Sequence, residues 1–472
     1  MKKYKTFIIY FFISLLVIVF AITIKNTKKN IDNKSEQIDF LRKNLDNKKS
    51  QLSNIHTKLL KKNINIENLV FEDGINFKNK KRRIFTLHDH EYVLKEFFSN
   101  DIIFAKHPEA SSSAYIDYQD GKIFLVTATG QITYSNVKNL DKDNFKLDSI
   151  KSNIQEIIKY SEFYNSSAFG VKDILVRKNK IYISYVEEHY KDCFSTSILE
   201  GYLDYSYIFF KEFYSPDQCI EKKSIFYNDS PHDKMVVHQS GGRMIIVDDS
   251  LIFSIGEFRY RTLAQDIESD FGKIISINLS DKTKKILSMG HRNPQGLHFN
   301  KDLNMLFSTE HGPSGGDEIN FLNFENKDVK GIANFGWPLA SYGRHYHDNQ
   351  NDNDARYTLS PLKKSHSKYG FIEPLKYFVP SVGISQIISI PNKFLDSNYN
   401  KFLVGTMGNA KKFKEGMISL FFFEFDKNNA TIHSSKFIPI KSRIRDMIYL
   451  DDRNAVLMYL ETNNSLAVLV KK

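Results

Sequence analysis

The chain has 472 residues, of which 41% are hydrophobic and 14% aromatic, so it is not a disordered protein and has enough apolar side chains for a large core. Its formal net charge is +11, but residues 1–62 alone contain 14 Lys or Arg against 4 Asp or Glu. The rest of the chain is close to neutral. This argues against nucleic acid as a partner, because a surface that follows phosphates carries many basic side chains.

The first predicted element is an uncharged apolar segment at residues 7–24, with lysines on both sides. Its 18 residues are at the lower limit for a membrane-spanning helix, and anionic lipid attracts the flanking lysines. We expect a single-pass, uncleaved signal anchor after a short basic N-terminus at residues 1–6. A cleaved signal peptide is the alternative, although the apolar run is long for one and the nearest small-residue motif, Val19-Phe20-Ala21, is a poor cleavage site.

Residues 25–90 are predicted to form a short helical stalk and a polar connector. Apolar side chains recur every seven residues from Ile31 to Leu59, which is typical of a coiled coil, but lysines interrupt the companion position. The pattern predicts weak self-association through the stalk, and a single amphipathic helix is the alternative. The connector, residues 63 to about 90, includes the basic run at residues 78–83 and shows no chemistry.

Residues 91–472 are predicted to form an all-β domain. Six segments read as hairpins, with apolar residues alternating on both sides of a polar turn. These segments are residues 122–135, 173–186, 243–256, 296–309, 387–406 and 444–460. Their spacing favours a six-bladed β-propeller with long insertions. A pair of β-sandwiches would produce similar strands and is the alternative.

Cys193 and Cys219 are the only cysteines, and no Cys-x-x-Cys motif or zinc-spaced histidine cluster is present. A thiolate metal site is therefore excluded. In an oxidising compartment the two cysteines can bridge neighbouring strands, whereas two reduced thiols are the other interpretation.

Residues 290–338 combine an Arg-Asn pair, two Gly-rich turns and a paired Asp-Glu, which indicates a site for an anionic ligand and a hard cation. His238 precedes a Gly-Gly turn, and Glu257 ends the next hairpin. A histidine with a pKa near neutral accepts a proton, and a nearby carboxylate orients its ring. His232 lies six residues upstream, and composition does not rank the two histidines.

Six motifs, in this order, resemble those of the soluble pyrroloquinoline quinone (PQQ)-dependent glucose and aldose sugar dehydrogenases: HQSGGR…SIGE, GHRNPQG, EHGPSGGDEIN, NFGWP, PSVGISQ and RIRD. The resemblance runs from about Asp117 to the end of the sequence. It implies a six-bladed propeller that holds PQQ in a pocket above a Ca²⁺ ion and oxidises the C1 hydroxyl of an aldose to a lactone. It also implies a propeller on the periplasmic side of the inner (cytoplasmic) membrane and a periplasmic or membrane electron acceptor as partner.

The resemblance also implies roles for individual residues. His238 matches the general base, which favours it over His232, and Glu257 matches the carboxylate that supports the base. Arg292 and Asn293 match the pair that contacts the cofactor, with Arg292 placed to stabilise negative charge on the quinone oxygen.

Seven further positions match residues that bind the cofactor or its metal. The backbone carbonyls of Gly312 and Pro313 are expected to bind Ca²⁺, which prefers oxygen ligands, and Asp317 and Glu318 match ligands of further Ca²⁺ ions. The residues expected to contact the cofactor itself are Ser381, Arg443 and Arg445. The two arginines alternate in RIRD, so they are predicted to lie on one face and to bind the cofactor carboxylates.

Two positions depart from the family pattern. Ala168 stands where the family has a glutamine at the substrate pocket, and Gly408 stands where it has a cofactor-binding lysine, although Lys411 and Lys412 follow closely. The leading hypothesis is a membrane-anchored quinoprotein oxidoreductase. The alternative is a cofactor-free propeller that binds a glycan or a protein.

Overall fold

A computed structural model describes residues 74–87, 90–101, 113–222, 237–324, 331–346, 358–408 and 415–472. They belong to one compact unit, Val70–Lys472. The predicted anchor, the predicted stalk, His232, Lys411 and Lys412 lie outside the described residues. Within the described ranges, no helix has both the length and the apolar character needed to cross a membrane.

Two N-terminal strands, β1 (Ile75–Leu87) and β2 (His90–Phe98), form an antiparallel hairpin. The strands that follow form the first three blades. The first blade contains β3 (Ala114–Gln119), β4 (Lys122–Thr127), β5 (Ile132–Asn136) and β6 (Asn144–Ser152). The second contains β7 (Val171–Arg177), β8 (Lys180–Tyr190), β9 (Cys193–Tyr202) and β11 (Phe210–Tyr214), while the short β10 (Tyr207–Ile208) pairs with β6 and β12 (Ile220–Glu221) with β9. The third contains β13 (Gly241–Val247), β14 (Ser250–Ile255), β15 (Lys273–Asn278) and β16 (Lys284–Met289).

The remaining strands form three more blades. The fourth contains β17 (Pro294–Asn300), β18 (Met305–Glu310), β19 (Asp317–Asn323) and β21 (Lys376–Phe378), and β20 (Ala333–Asn334) pairs with β16 of the third blade. The fifth contains β22 (Ile384–Ile390), β23 (Asn400–Thr406), β24 (Ser419–Asp426) and β25 (Thr431–Pro439). The sixth contains β26 (Ile444–Leu450), β27 (Ala455–Leu460) and β28 (Ser465–Lys471), with β2 as its outer strand.

The inner strands β3, β7, β13, β17, β22 and β26 pack against one another in this order, and β26 packs against β3. This closed ring confirms the predicted six-bladed propeller and shows that the β-sandwich alternative is wrong. Each of the six predicted hairpins forms a pair of neighbouring strands in a different blade. Tight turns assist them: Asp120 and Gly121, between β3 and β4, both have positive φ, as a two-residue type I′ hairpin turn requires.

The beginning of the sheet differs from the prediction, because β1 lies within the stretch assigned to the connector. It pairs with β2 along most of its length and with β6 at its N-terminal end, so the sixth and first blades form one continuous sheet. Among the described residues, the propeller sheet therefore begins at Ile75 and not at residue 91. All side chains of β1 from Lys81 to Thr86 are exposed or half-buried. This part of the strand therefore lacks the alternation of buried apolar and exposed polar residues from which the other strands were predicted.

Apolar side chains fill the spaces between neighbouring blades as six clusters of buried residues. Phe307 of β18 and Phe402 of β23, for example, pack with ring centroids 4.5 Å apart between the fourth and fifth blades. Among the described residues, the helices are short connections. They are α1 (Ile154–Ile157), α2 (Ser161–Asn165) and 3₁₀ turns at Val137–Asp141, Val237–Gln239, Arg261–Gln265, Ser367–Tyr369 and Asp451–Arg453.

Cys193 and Cys219 form a disulfide, with Cα atoms 5.5 Å apart. Cys193 opens β9, and Cys219 directly precedes β12, which pairs with β9. The bond fastens this edge of the second blade and settles the choice between the two interpretations of the cysteine pair.

Candidate active site

A cavity of about 540 Å³ lies where the inner strands of the six blades begin. Because these strands form a ring, residues that are far apart in the sequence meet at one end of the propeller axis. All but two of the predicted site residues line this cavity. They are His238, Arg292, Asn293, Gly312, Pro313, Asp317, Ser381, Arg443 and Arg445.

Arg292 and Asn293 directly precede β17 and connect three loops around the cavity. The Arg292 guanidinium donates to the carbonyl oxygens of His311 and Gly312 at 3.0 and 2.7 Å and lies over the Trp337 ring. Its backbone N–H donates to Glu310, which is buried. These contacts fix the guanidinium in the cavity wall.

The Asn293 side chain joins GHRNPQG to the loop that carries the predicted base. Its Nδ2 donates to the carbonyl oxygen of His238 at 3.3 Å, and its Oδ1 accepts from the Gly241 backbone N–H at 3.1 Å. His238 is exposed and faces the cavity. Asn293 therefore positions the backbone of the turn that presents the His238 ring.

Glu257 is fully buried behind this turn and does not line the cavity. When the Gln239 amide is oriented so that donors meet acceptors, its Nε2 donates to Glu257 at 2.6 Å. Its oxygen then accepts from Arg259 and Arg292 at 2.9 Å each. Burial raises the pKa of Glu257 to about 7, against the opposing effect of the two arginines. Gln239 thus connects the predicted supporting carboxylate to Arg292, a contact that the sequence did not predict.

Arg443 and Arg445 lie side by side in the sixth blade and share one carboxylate. The Nε atom of each donates to Glu461, which is fully buried. Burial opposes ionisation of Glu461, but Arg445 and Arg443 outweigh it and lower the pKa of this carboxyl to about 2. Glu461 therefore holds both guanidinium groups at the cavity wall, as the alternation in RIRD predicts for a pair on one face.

Below the arginine pair, a buried ion network joins four blades. Arg243 of β13 binds Asp173 of β7 at 3.1 Å and Asp446 of β26 at 2.7 Å, and Asp446 also accepts from the backbone N–H of Ile116 in β3. These residues were not predicted, because only the ring places them together. The network fixes the starts of the inner strands and hence the positions of the cavity residues.

The residues predicted to bind metal do not form one cluster. Gly312 and Pro313 lie at the cavity, and Ser381 donates to the Pro313 carbonyl oxygen at 3.4 Å. Asp317 accepts from the Gly312 backbone N–H with one oxygen and from those of residues 382–384 with the other, so it holds two loops together. Across the described ranges, no group of three or more His, Cys, Asp or Glu residues is arranged to hold a metal ion.

Glu318 faces a second, much smaller cavity beside Glu310 and His366. Burial and, after it, the neighbouring Glu310 raise the pKa of Glu318 well above its usual value. Glu318 therefore lies apart from the cavity that holds most of the predicted site.

Several cavity residues escaped the sequence analysis, notably Tyr115, Lys172, Gln239 and His311. Ala168 and Gly408, the two departures from the family pattern, also line the cavity. Lys172 immediately precedes Asp173, at the start of an inner strand. The sequence alone does not distinguish it from the many exposed lysines, so no signal in the sequence identifies it.

The fold and the site together define a β-propeller with a cationic ligand cavity on its axis. Residues 108–470 match the family described as Glucose / Sorbosone dehydrogenase, and the chain belongs to this family. The predicted resemblance to sugar dehydrogenases is confirmed, and with it, at the level of the family, the prediction of an oxidoreductase.

Similar proteins agree with this membership. The chain is 38% identical over 120 residues to the aldose sugar dehydrogenase YliI of Escherichia coli (strain K12), covering 22% of this chain and 30% of that protein. It is 32% identical over 136 residues to quinoprotein glucose dehydrogenase B of Acinetobacter calcoaceticus, covering 22% and 27%. The chain spans about half or less of the length of the curated relatives it matches. The apo structure of the soluble aldose sugar dehydrogenase from Escherichia coli shares the fold, with a TM-score of 0.57, 17% identity and coverage of 80% of this chain and 100% of that one.

Proposed function

We propose that this chain is a membrane-anchored, PQQ-dependent oxidoreductase that oxidises an aldose or a related alcohol at C1, with its propeller on the periplasmic side. The observation that carries the proposal is the meeting of His238, Arg292 and the Arg443–Arg445 pair in one cavity of a chain of this family. A periplasmic or membrane electron acceptor is then the partner that reoxidises the cofactor.

The charges of the cavity fit an anionic quinone. Arg443 and Arg445 are fixed at Nε by Glu461 and line the wall, and guanidinium groups bind carboxylates in a defined geometry. Arg292 supplies a third guanidinium elsewhere in the wall. The volume of about 540 Å³ is in the range of small-molecule and cofactor sites.

The bound quinone supplies the hydride-accepting carbon, and the residues of the chain supply the rest of the chemistry. His238 takes the proton of the sugar hydroxyl, because it is the exposed imidazole beside the cavity and Asn293 fixes its turn. Arg292 stabilises the negative charge that grows during transfer, because its contacts hold the guanidinium in place before the reaction. Glu257 acts through Gln239 on the position of Arg292.

Ca²⁺ at the carbonyl oxygens of Gly312 and Pro313 stays a prediction. Both residues line the cavity, but Arg292 already donates to the Gly312 oxygen at 2.7 Å. An ion at this position shares the oxygen with a guanidinium, which repels it. No step of the mechanism above therefore depends on the metal.

One observation favours the alternative of a cofactor-free propeller that binds a glycan or a protein. A side chain at Gly408 would begin 2.4 Å from Cβ of Met417, so Met417 takes space that the family's lysine would need. The Arg443 guanidinium also donates to the Gly408 carbonyl oxygen. Among the described residues, the fifth blade thus places no lysine at this side of the cavity.

Reconstitution of the full chain with PQQ and Ca²⁺ distinguishes the two functions. We expect quinone absorbance to remain with the protein after gel filtration and a dye to be reduced with at least one aldose of a panel. His238→Ala should retain the quinone and lose turnover by about 10²- to 10⁴-fold, the usual contribution of a general base. A wild-type protein that retains no quinone contradicts the proposal, and an unchanged rate in the variant removes His238 from the role of base.

A further inference from the structure

Lys172 is one of three buried lysines in the part of the chain that the structure describes, together with Lys273 and Lys401. It is the second residue of β7 and is 7% exposed. Of the three, only Lys172 lines the central cavity. Neither the family motifs nor the mechanism above assigns it a role.

The hydrogen bonds of the three lysines differ in number. An ammonium group has three N–H donors. Lys273 and Lys401 each meet three oxygen acceptors within the protein. Lys172 meets two, the carbonyl oxygens of Ser167 and Ala168 at 2.9 and 2.6 Å. One donor of Lys172 is therefore left for a ligand in the cavity.

The side chain of Lys172 is held in place by the Gly-Gly turn after His238. A Cβ atom at Gly242 would lie 2.3 Å from Cβ of Lys172, so the backbone of the turn packs directly on the lysine stem. Gly242 also has a φ of +111°, which favours glycine. Glycine at this position lets the lysine stand between the second and third blades, beside the cavity.

Lys172 adds positive charge to a wall in which Asp317 is the only carboxylate among the described lining residues. Among the described residues, no carboxylate forms an ion pair with Lys172, and the nearby Glu461 is shared by Arg443 and Arg445. The carboxylate of Asp317 is engaged by backbone N–H groups. Burial and then Arg445 lower the pKa of Lys172 to about 7, and an anion beside the ammonium would favour its charged form.

We propose that Lys172 binds a carboxylate group of the ligand in the central cavity and so supplies, from the second blade, the cation that Gly408 does not provide in the fifth. The carboxylate belongs either to the quinone cofactor or to an acidic sugar substrate. The proposal rests on the proposed function for the identity of these two ligands, but a simple carboxylate anion tests it without either.

The experiment compares Lys172→Met with wild type and with Lys273→Met, the matched loss of a buried lysine outside the cavity, all as full chains. Lys172→Gln is a second variant in case the methionine disturbs folding, and circular dichroism checks each protein. Three readouts are measured: PQQ binding from quenching of protein fluorescence, KM for glucuronate against glucose, and the stabilisation of the apo protein by citrate in a thermal shift titration.

Loss of a hydrogen bond to a charged group should weaken binding by about 10- to 100-fold. If Lys172→Met and Lys172→Gln weaken PQQ binding by this factor, the carboxylate is that of the cofactor. If PQQ binding is unchanged and only the KM for glucuronate rises, the carboxylate is that of the substrate. If wild type binds no PQQ but is stabilised by citrate, and the two Lys172 variants lose this stabilisation, the proposed function fails and the role of Lys172 stands. Unchanged values in all three readouts, or equal losses in Lys273→Met, overturn the proposal.

Discussion

Glu257→Gln should stabilise the cofactor-free protein at alkaline pH. Glu257 is fully buried, and burial raises the pKa of its carboxyl from 4.5 to about 7. The folded protein therefore holds this proton more tightly than the unfolded chain, and the free energy of unfolding falls as pH rises from about 4.5 through about 7. At about 1.4 kcal/mol per pKa unit, the full fall is about 3 kcal/mol.

A glutamine carries no charge at any pH, so the variant lacks this fall. We expect equal stability near pH 4 and a variant about 3 kcal/mol more stable at pH 8. Urea denaturation of both proteins at pH 4, 6 and 8, followed by fluorescence, measures the difference. The gain has a functional cost, because Glu257 holds Gln239 against Arg292.

Glu310→Gln is the matched control, because Glu310 is also a buried glutamate but its pKa moves the other way. Burial raises this pKa, yet the neighbouring His291 ring and the Arg292 backbone N–H outweigh burial and lower it. Its removal should destabilise the protein at pH 8. The conclusion that ionised Glu257 lowers the free energy of unfolding is wrong if Glu257→Gln is less stable than wild type at pH 8. It is also wrong if the stability of both variants changes in the same direction.

Two further predictions concern the disulfide and the arginine pair. Replacing Cys193 and Cys219 by serine should lower the free energy of unfolding by about 3 to 4 kcal/mol, because the bond closes a loop of 26 residues; reductant should bring the urea midpoint of wild type to that of the variant and leave the variant unchanged. Glu461→Gln should cost about 3 kcal/mol at pH 7, because Arg445 and Arg443 lower the pKa of Glu461 from 4.5 to about 2 against the effect of burial. Since that stabilisation is lost as pH falls from 4.5 towards 2, the difference in urea midpoint between wild type and Glu461→Gln should shrink over this range, and a constant difference would refute the assignment.

The hairpins could be predicted from the sequence because the residues that determine each hairpin are close together in the chain. Alternating apolar side chains and turn residues such as Asp120-Gly121 lie within a few positions of each other. The outer strands carry less of this signal. β21 is only three residues long and reaches its partner β19 after an insertion of about 50 residues, while β1 is rich in exposed basic side chains. Their pairing depends on neighbours that the sequence does not identify.

The residues of the candidate site also fall into those that the sequence identifies and those that only the fold identifies. His238, Arg292 and Arg443 belong to recognisable motifs, and the structure gathers them at one cavity. Lys172 lies in no such motif, and Gln239 lies inside HQSGGR but the motif indicates no role for it; the contacts of both follow only from the folded chain. Glu318 as a cation ligand stays a prediction, but strand alternation turns it to the other side of β19 from Asp317, where it lines the smaller cavity.

The sixth blade obtains its outer strand by pairing β2, near the start of the described residues, with β28 at their end. Glu91 at the start of the hairpin's second strand and Lys472 are bonded across a separation of 381 residues. During synthesis, β2 cannot pair with β28 until nearly the whole chain has been translated, and closing a loop of this length is slow. Arg443, Arg445 and Glu461 arrive with the same last segment. A chain truncated before Arg443 therefore lacks both the strands that close the ring and this part of the cavity wall, and it should not retain a ligand that needs the two arginines.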